Sequence, residues 1–150
     1  MRPVVWLRVA AVLTLIHAVL HTIGGVFGAV PPGPATVAVT AMKENTFDAF
    51  GQLRSFWMFY RGMGLAATIS LTLEAVVLWQ LASLAKTEGA RLRPIVLAFA
   101  VSFLVFAAVS WEYFFMGPVI TELLIAACLV VAVVGLGKEV GRSAGQLVGG

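Results

Sequence analysis

Two histidines, His17 and His21, stand four residues apart in a long apolar stretch near the amino end of the chain, and later apolar stretches carry Arg61, Glu74, Glu112 and Glu122. An ionisable side chain inside a membrane span costs about 2.5–3.5 kcal/mol on insertion scales, so it normally faces a bundle interior or a water-filled cavity. Histidine, carboxylic acid and guanidinium together make a proton-transfer set: a base, an acid, and a fixed cation for developing negative charge. Desolvation favours the neutral form of both an imidazole and a carboxylic acid, so base and acid can coexist at one pH. The expected acid–base pair is His21 and Glu112, with Arg61 orienting a polar substrate group and Glu122 as a reserve acid. His17, Trp57, Tyr60, Trp111 and Tyr113 are expected to bind or wall the substrate. The corresponding reaction is isomerisation or cyclisation of a lipophilic small molecule, which needs no organic cofactor. No phosphate loop, dinucleotide glycine motif or nucleophilic-serine motif competes with it.

The same residues admit other chemistry. A histidine pair at i, i+4 is a chelating geometry, and zinc would take Glu112 or Glu122 as third ligand. Haem fits poorly, because two histidines on one helical face cannot take opposite sides of one iron, and the chain has 2 histidines in all. Arg61 could pair with Glu112 or Glu122, and breaking a buried ion pair costs about 3–5 kcal/mol. On that reading the protein is a non-catalytic binder of a lipophilic ligand, or a membrane assembly protein stapled by its polar groups. Transport would need an oligomer, since the sequence has no inverted repeat.

These side chains require elements that hold them in lipid. Of the 150 residues, 61% are apolar and 11% charged, and mean hydropathy is +1.00, which argues against a water-soluble domain. A spanning helix needs roughly 20 apolar residues. Four segments qualify, at approximately 4–30, 55–84, 94–115 and 118–138, and predict an all-α transmembrane four-helix bundle forming one membrane domain. The net charge of +3 is dispersed at helix ends and forms no nucleic-acid footprint. Arg2, Arg8, Lys86, Arg91, Arg93, Lys138 and Arg142 mark the cytoplasmic side under the positive-inside rule, so both termini are expected there. Lys43 and Arg54 on the other side are offset by Glu44 and Asp48. Alternating helix direction then brings His21, Arg61, Glu112 and Glu122 to the outer half of the bilayer, with His17 one turn deeper and Glu74 in the inner half. Arg2 and Arg8 ahead of an apolar run have the outline of a cleaved signal, but the run is too long and no convincing small-x-small cleavage site follows it. Cys128 lies in the fourth span and is expected to pack as a small apolar residue.

Pro31-Pro32-Gly33-Pro34 should end the first helix. Val39, Met42, Phe47, Phe50 and Leu53 recur at nearly helical spacing and predict a short amphipathic helix on the outer surface over Val39 to Leu53, roofing the bundle. Lys86 to Arg93 reads as an inner turn and Gly117-Pro118 as a tight outer one, making the last two helices antiparallel neighbours. Aromatic clusters at Phe56 to Tyr60 and Trp111 to Phe115 have the form of interfacial belts. Gly24 and Gly28 form a small-xxx-small pair that admits a neighbouring backbone.

Around His21-Thr22-Ile23-Gly24, Phe59-Tyr60-Arg61-Gly62 with Gly64-Leu65, and Ser110-Trp111 through Phe115, the chain resembles a group of small four-span bacterial integral membrane proteins. That resemblance covers most of the chain and implies the architecture, a bacterial cytoplasmic membrane, and weight on His21, Tyr60 and Arg61. It implies no reaction. A broader likeness to four-helix membrane isomerases acting on sterols is architectural alone. The partners expected are membrane lipid or a lipophilic small molecule, with further copies of the chain as an alternative.

Overall fold

The computed structural model describes residues 3–148; the side chains of residues 90 and 138–148 lie outside that description, as does Arg2, so the topological roles read for Arg2, Lys138 and Arg142 fall outside the described side chains. The elements in chain order are α1 (Pro3–Leu20), a π-helical turn (His21–Val26), α2 (Pro34–Glu44), the strands β1 (Thr46–Ala49) and β2 (Gln52–Ser55), α3 (Phe56–Leu84), α4 (Gly89–Tyr113) and α5 (Met116–Val148). The fold is all-α apart from one hairpin. Four stretches are long and apolar enough to cross a bilayer: Pro3–Val26, Phe56–Leu84, Arg91–Tyr113 and Met116–Gly137. This is the architecture of an integral membrane protein.

The chain divides into two compact units, Ala18–Leu71 and the residues on either side of it, with the boundaries falling inside α1 and α3. The flanking unit is a four-helix bundle. Leu7, Ala10 and Ala11 of α1, Leu78, Leu81 and Ala82 of α3, Leu92, Val96, Ala100 and Phe103 of α4, and Ile125, Leu129, Ala132 and Leu136 of α5 share one buried core. Their spacings of three and four residues are those of one helical face. The opposite faces are apolar too: Val101, Leu104 and Val105 of α4 and Leu123, Leu124 and Val130 of α5 are exposed. Helices apolar all round belong in lipid. Cys128 is a buried free thiol within this core, packed as an apolar residue.

Two boundaries differ from the sequence expectation. Helix α4 begins at Gly89, so Pro94 sits inside it rather than at its start. Helix α5 begins at Met116, which puts Gly117 and Pro118 in its first turn and leaves Phe114 and Phe115 as the connection. Proline is tolerated there because first-turn N–H groups have no intrahelical partner.

In the Ala18–Leu71 unit, the expected surface helix from Val39 to Leu53 is replaced by α2 followed by a hairpin. Strands β1 and β2 pair antiparallel, Phe47 opposite Arg54 and Asp48 opposite Leu53. Phe50 and Gly51 at the turn have φ of 54° and 80°. Positive φ at both central positions is what a two-residue type I′ hairpin requires. The Gly51 N–H donates to Asp48 Oδ1 at 2.6 Å, which fixes the turn. The Ser55 hydroxyl, accepting from Met58 N at 3.3 Å, caps α3 directly after β2.

Candidate functional site

The first apolar span does not run to Pro31 as a helix. Thr22 back-bonds through its hydroxyl to the Ala18 carbonyl at 2.6 Å, and Phe27 N–H reaches the Thr22 carbonyl at 3.0 Å, closing a wide turn. Gly24 and Gly25 lie within this turn, and each glycine weakens a regular helix by about 0.5–1 kcal/mol relative to alanine. π-Helical turns of this kind concentrate at functional sites. A Cβ on Gly28 would collide with the Gly24 carbonyl oxygen, whereas one on Gly24 would meet nothing within 4 Å. Gly28 therefore accommodates the chain's own exit from the turn, not the backbone of a neighbouring helix. The close approach occurs instead at Gly64 of α3, where a Cβ would stand 2.9 Å from Val26 Cγ2.

His21 opens the turn, and its Nε2 lies 3.1 Å from the Gly64 carbonyl oxygen. A carbonyl only accepts, so Nε2 carries the proton and the lone pair of a neutral ring is at Nδ1. A Cβ at position 25 would stand 3.3 Å from Nδ1, so Gly25 keeps the space beside that atom open. Thr68 lies one turn along α3 from Gly64, 3.0 Å from the Thr22 hydroxyl and 3.2 Å from the Gly64 carbonyl. Each hydroxyl has one proton: that of Thr22 goes to the Ala18 carbonyl, and that of Thr68 is shared between the Gly64 carbonyl and the Thr22 hydroxyl oxygen.

One turn nearer the start of α3, the half-buried Arg61 guanidinium lies over the Phe27 ring at 4.7 Å and near the Trp57 ring at 6.0 Å. Lys43 of α2 stands over the same indole at 4.8 Å. Tyr60 stacks on Trp57 at 5.4 Å, and its hydroxyl donates to the Gly25 carbonyl at 3.4 Å. Residues 57, 60, 61, 64 and 68 fall along one face of α3. Among the described residues the ion pair is the exposed Arg91–Glu88 contact, so Arg61 meets aromatic rings where a carboxylate partner was expected.

Of the residues singled out by sequence, His21, Trp57, Tyr60 and Arg61 thus gather around the π-helical turn in one unit. His17, Trp111, Glu112, Tyr113 and Glu122 belong to the other. There, Glu122 is buried and its Oε1 accepts from the Ser110 hydroxyl at 3.0 Å, while its Oε2 has no hydrogen-bond partner among the described residues. His17 is buried. Trp111, Glu112 and Tyr113 are exposed at the end of α4, the setting of an interfacial belt. Among the described residues no three His, Cys, Asp or Glu side chains gather as a metal-ligand set.

Gly64, Thr22, Thr68, Phe27 and Lys43 take part in the site without having been singled out as site residues; Thr22 and Gly64 entered the sequence reading through the resemblance alone. Thr68 at i+4 from Gly64, in line with Arg61, was an available signal, whereas a backbone acceptor such as the Gly64 carbonyl leaves none. Comparison with known proteins matched no family model, no curated protein and no solved structure.

Proposed function

We propose that the protein is an intramembrane acid–base enzyme that isomerises or cyclises a lipophilic small molecule bearing an electron-rich or anionic head. The observation that carries this reading is Arg61: a half-buried guanidinium inside an apolar span, bordered by Phe27 and Trp57 and with no carboxylate partner among the described residues. Such a cation is costly to keep without a negative counterpart, and a ligand can supply one. His21 is tethered through Nε2 to the carbonyl of Gly64, one helical turn along α3 from Arg61, with Nδ1 left as the basic atom.

The chemistry balances within this set. Nδ1 removes a proton from a carbon beside an electron-withdrawing group, and Arg61 stabilises the resulting anion. The imidazolium then returns the proton to a different carbon, giving an isomer with no net gain or loss. One base serves both steps, so Glu112 and Glu122 are not required as donors. The resemblance to small bacterial four-span proteins and the distribution of basic residues support placement in a bacterial cytoplasmic membrane, with both termini inside and this site towards the outer half.

A second reading, non-catalytic ligand binding, draws support from the same His21–Gly64 contact, which can equally hold an imidazole still. Incubation of the reconstituted protein with a lipophilic metabolite extract, followed by mass spectrometry, separates the two. Catalysis predicts an isomer of unchanged mass and altered retention, lost in Arg61→Gln by about 10²–10³-fold. A retained ligand with no new product supports binding, and neither result sinks both.

A further inference from the structure

The opposite face of α3 carries a feature that the His21 site does not use. Met58, Phe59, Gly62, Met63 and Ala66, with Arg54 at the hairpin end, line an open groove of about 340 Å³. That volume lies at the lower end of the range of small-molecule sites. Gly62 and Ala66, one turn apart, form its floor, and a Cβ on Gly62 would meet nothing within 4 Å. Two methionines and a phenylalanine form the sides, a pliable apolar lining suited to a flexible chain.

The head of the groove is cationic. Arg54 donates to the Leu53 carbonyl at 2.9 Å and to the Gln52 side chain, and the ion pair among the described residues lies elsewhere. A guanidinium has five N–H donors, so donors remain for a ligand. Strand pairing places Arg54 opposite Phe47 and Asp48 opposite Leu53. Side chains alternate along a strand, so the Asp48 carboxylate leaves the hairpin on the other face. Arg54 is the charged side chain that lines the groove.

We infer that this groove is a binding site for an anionic membrane phospholipid, its phosphate on Arg54 and one acyl chain laid over Gly62 and Ala66. A second copy of the chain is the competing occupant, since Gly62 and Ala66 have small-xxx-small spacing. A two-fold contact through this face would bring Arg54 against its own equivalent, two like charges at one depth. An anionic headgroup has the opposite sign.

The test is native mass spectrometry of the full chain after exchange into micelles doped with equal phosphatidylglycerol and phosphatidylcholine. The wild type should retain phosphatidylglycerol over phosphatidylcholine by about fivefold, the size of one basic residue's attraction to anionic lipid. Arg54→Gln should bring the ratio to about one, Arg54→Lys should restore most of it, and Gly62→Leu should lower total retained lipid. The proposal is overturned by equal retention of both lipids in the wild type, by a preference that survives Arg54→Gln, or by a wild-type dimer that Gly62→Leu dissociates. Helical content checked by circular dichroism keeps a misfolded variant from being counted.

Discussion

At His21, geometry separates two roles that a simple deletion would merge. The ring tethers the π-helical turn to α3 through Nε2, and its Nδ1 is the proposed base. His21→Gln keeps a donor for the Gly64 carbonyl and removes the base. It should leave a folded, membrane-inserted protein whose turnover falls by about 10²–10⁴-fold. Activity within a few-fold of wild type in that variant would reduce His21 to a tether. Glu112→Gln should retain turnover, because one base can return the proton it takes; loss of activity there, with folding intact, would restore Glu112 as the acid. Much of this residue-scale picture was legible. The ionisable residues in apolar spans pointed to His21 and Arg61 because such groups are costly in lipid. The carbonyl that orients His21 was not legible, since backbone acceptors are the same at every position.

The four long helices were recoverable from apolar length alone, because that length is what the bilayer demands. Their ends were less so. Pro31 marks where a helix cannot continue, but α1 gives way earlier, at a π-helical turn containing Gly24 and Gly25. The segment after α2 reads as helical because Phe47, Phe50 and Leu53 are three residues apart, yet Asp48 and Gly51 set up a turn that overrides that period. Phe50 occupies a position where Asn or Gly is the usual choice, fully exposed and at φ 54°. Relieving a left-handed conformation of a bulky residue is worth about 1 kcal/mol or more. Phe50→Asn should therefore slow hydrogen exchange of the hairpin amides about fivefold, a factor corresponding to that energy. Faster exchange would mean that Phe50 has a stabilising contact. Gly28→Ala should cost about 1–3 kcal/mol, as overpacking does, and Gly24→Ala clearly less. Equal thermal shifts would contradict the assignment of Gly28 to the exit of the turn.

For the whole molecule, the span count and the basic residues at Arg8, Lys86, Arg91 and Arg93 support the proposed sidedness, with both termini inside. A cysteine introduced at Ser143 should be labelled from the cytoplasmic side alone, and one at Asn45 from the outer side alone. The reverse pattern would invert the membrane and move the His21 site to the inner half. Action of His21 and Arg61 on a lipophilic molecule is read most directly from the mass-spectrometric profile of a lipophilic extract after incubation with reconstituted wild type, His21→Gln and Arg61→Gln. A new isomer should form with the wild type and fall by at least about 10²-fold in each variant. A profile identical for all three proteins, with each shown to be folded and inserted, would contradict it.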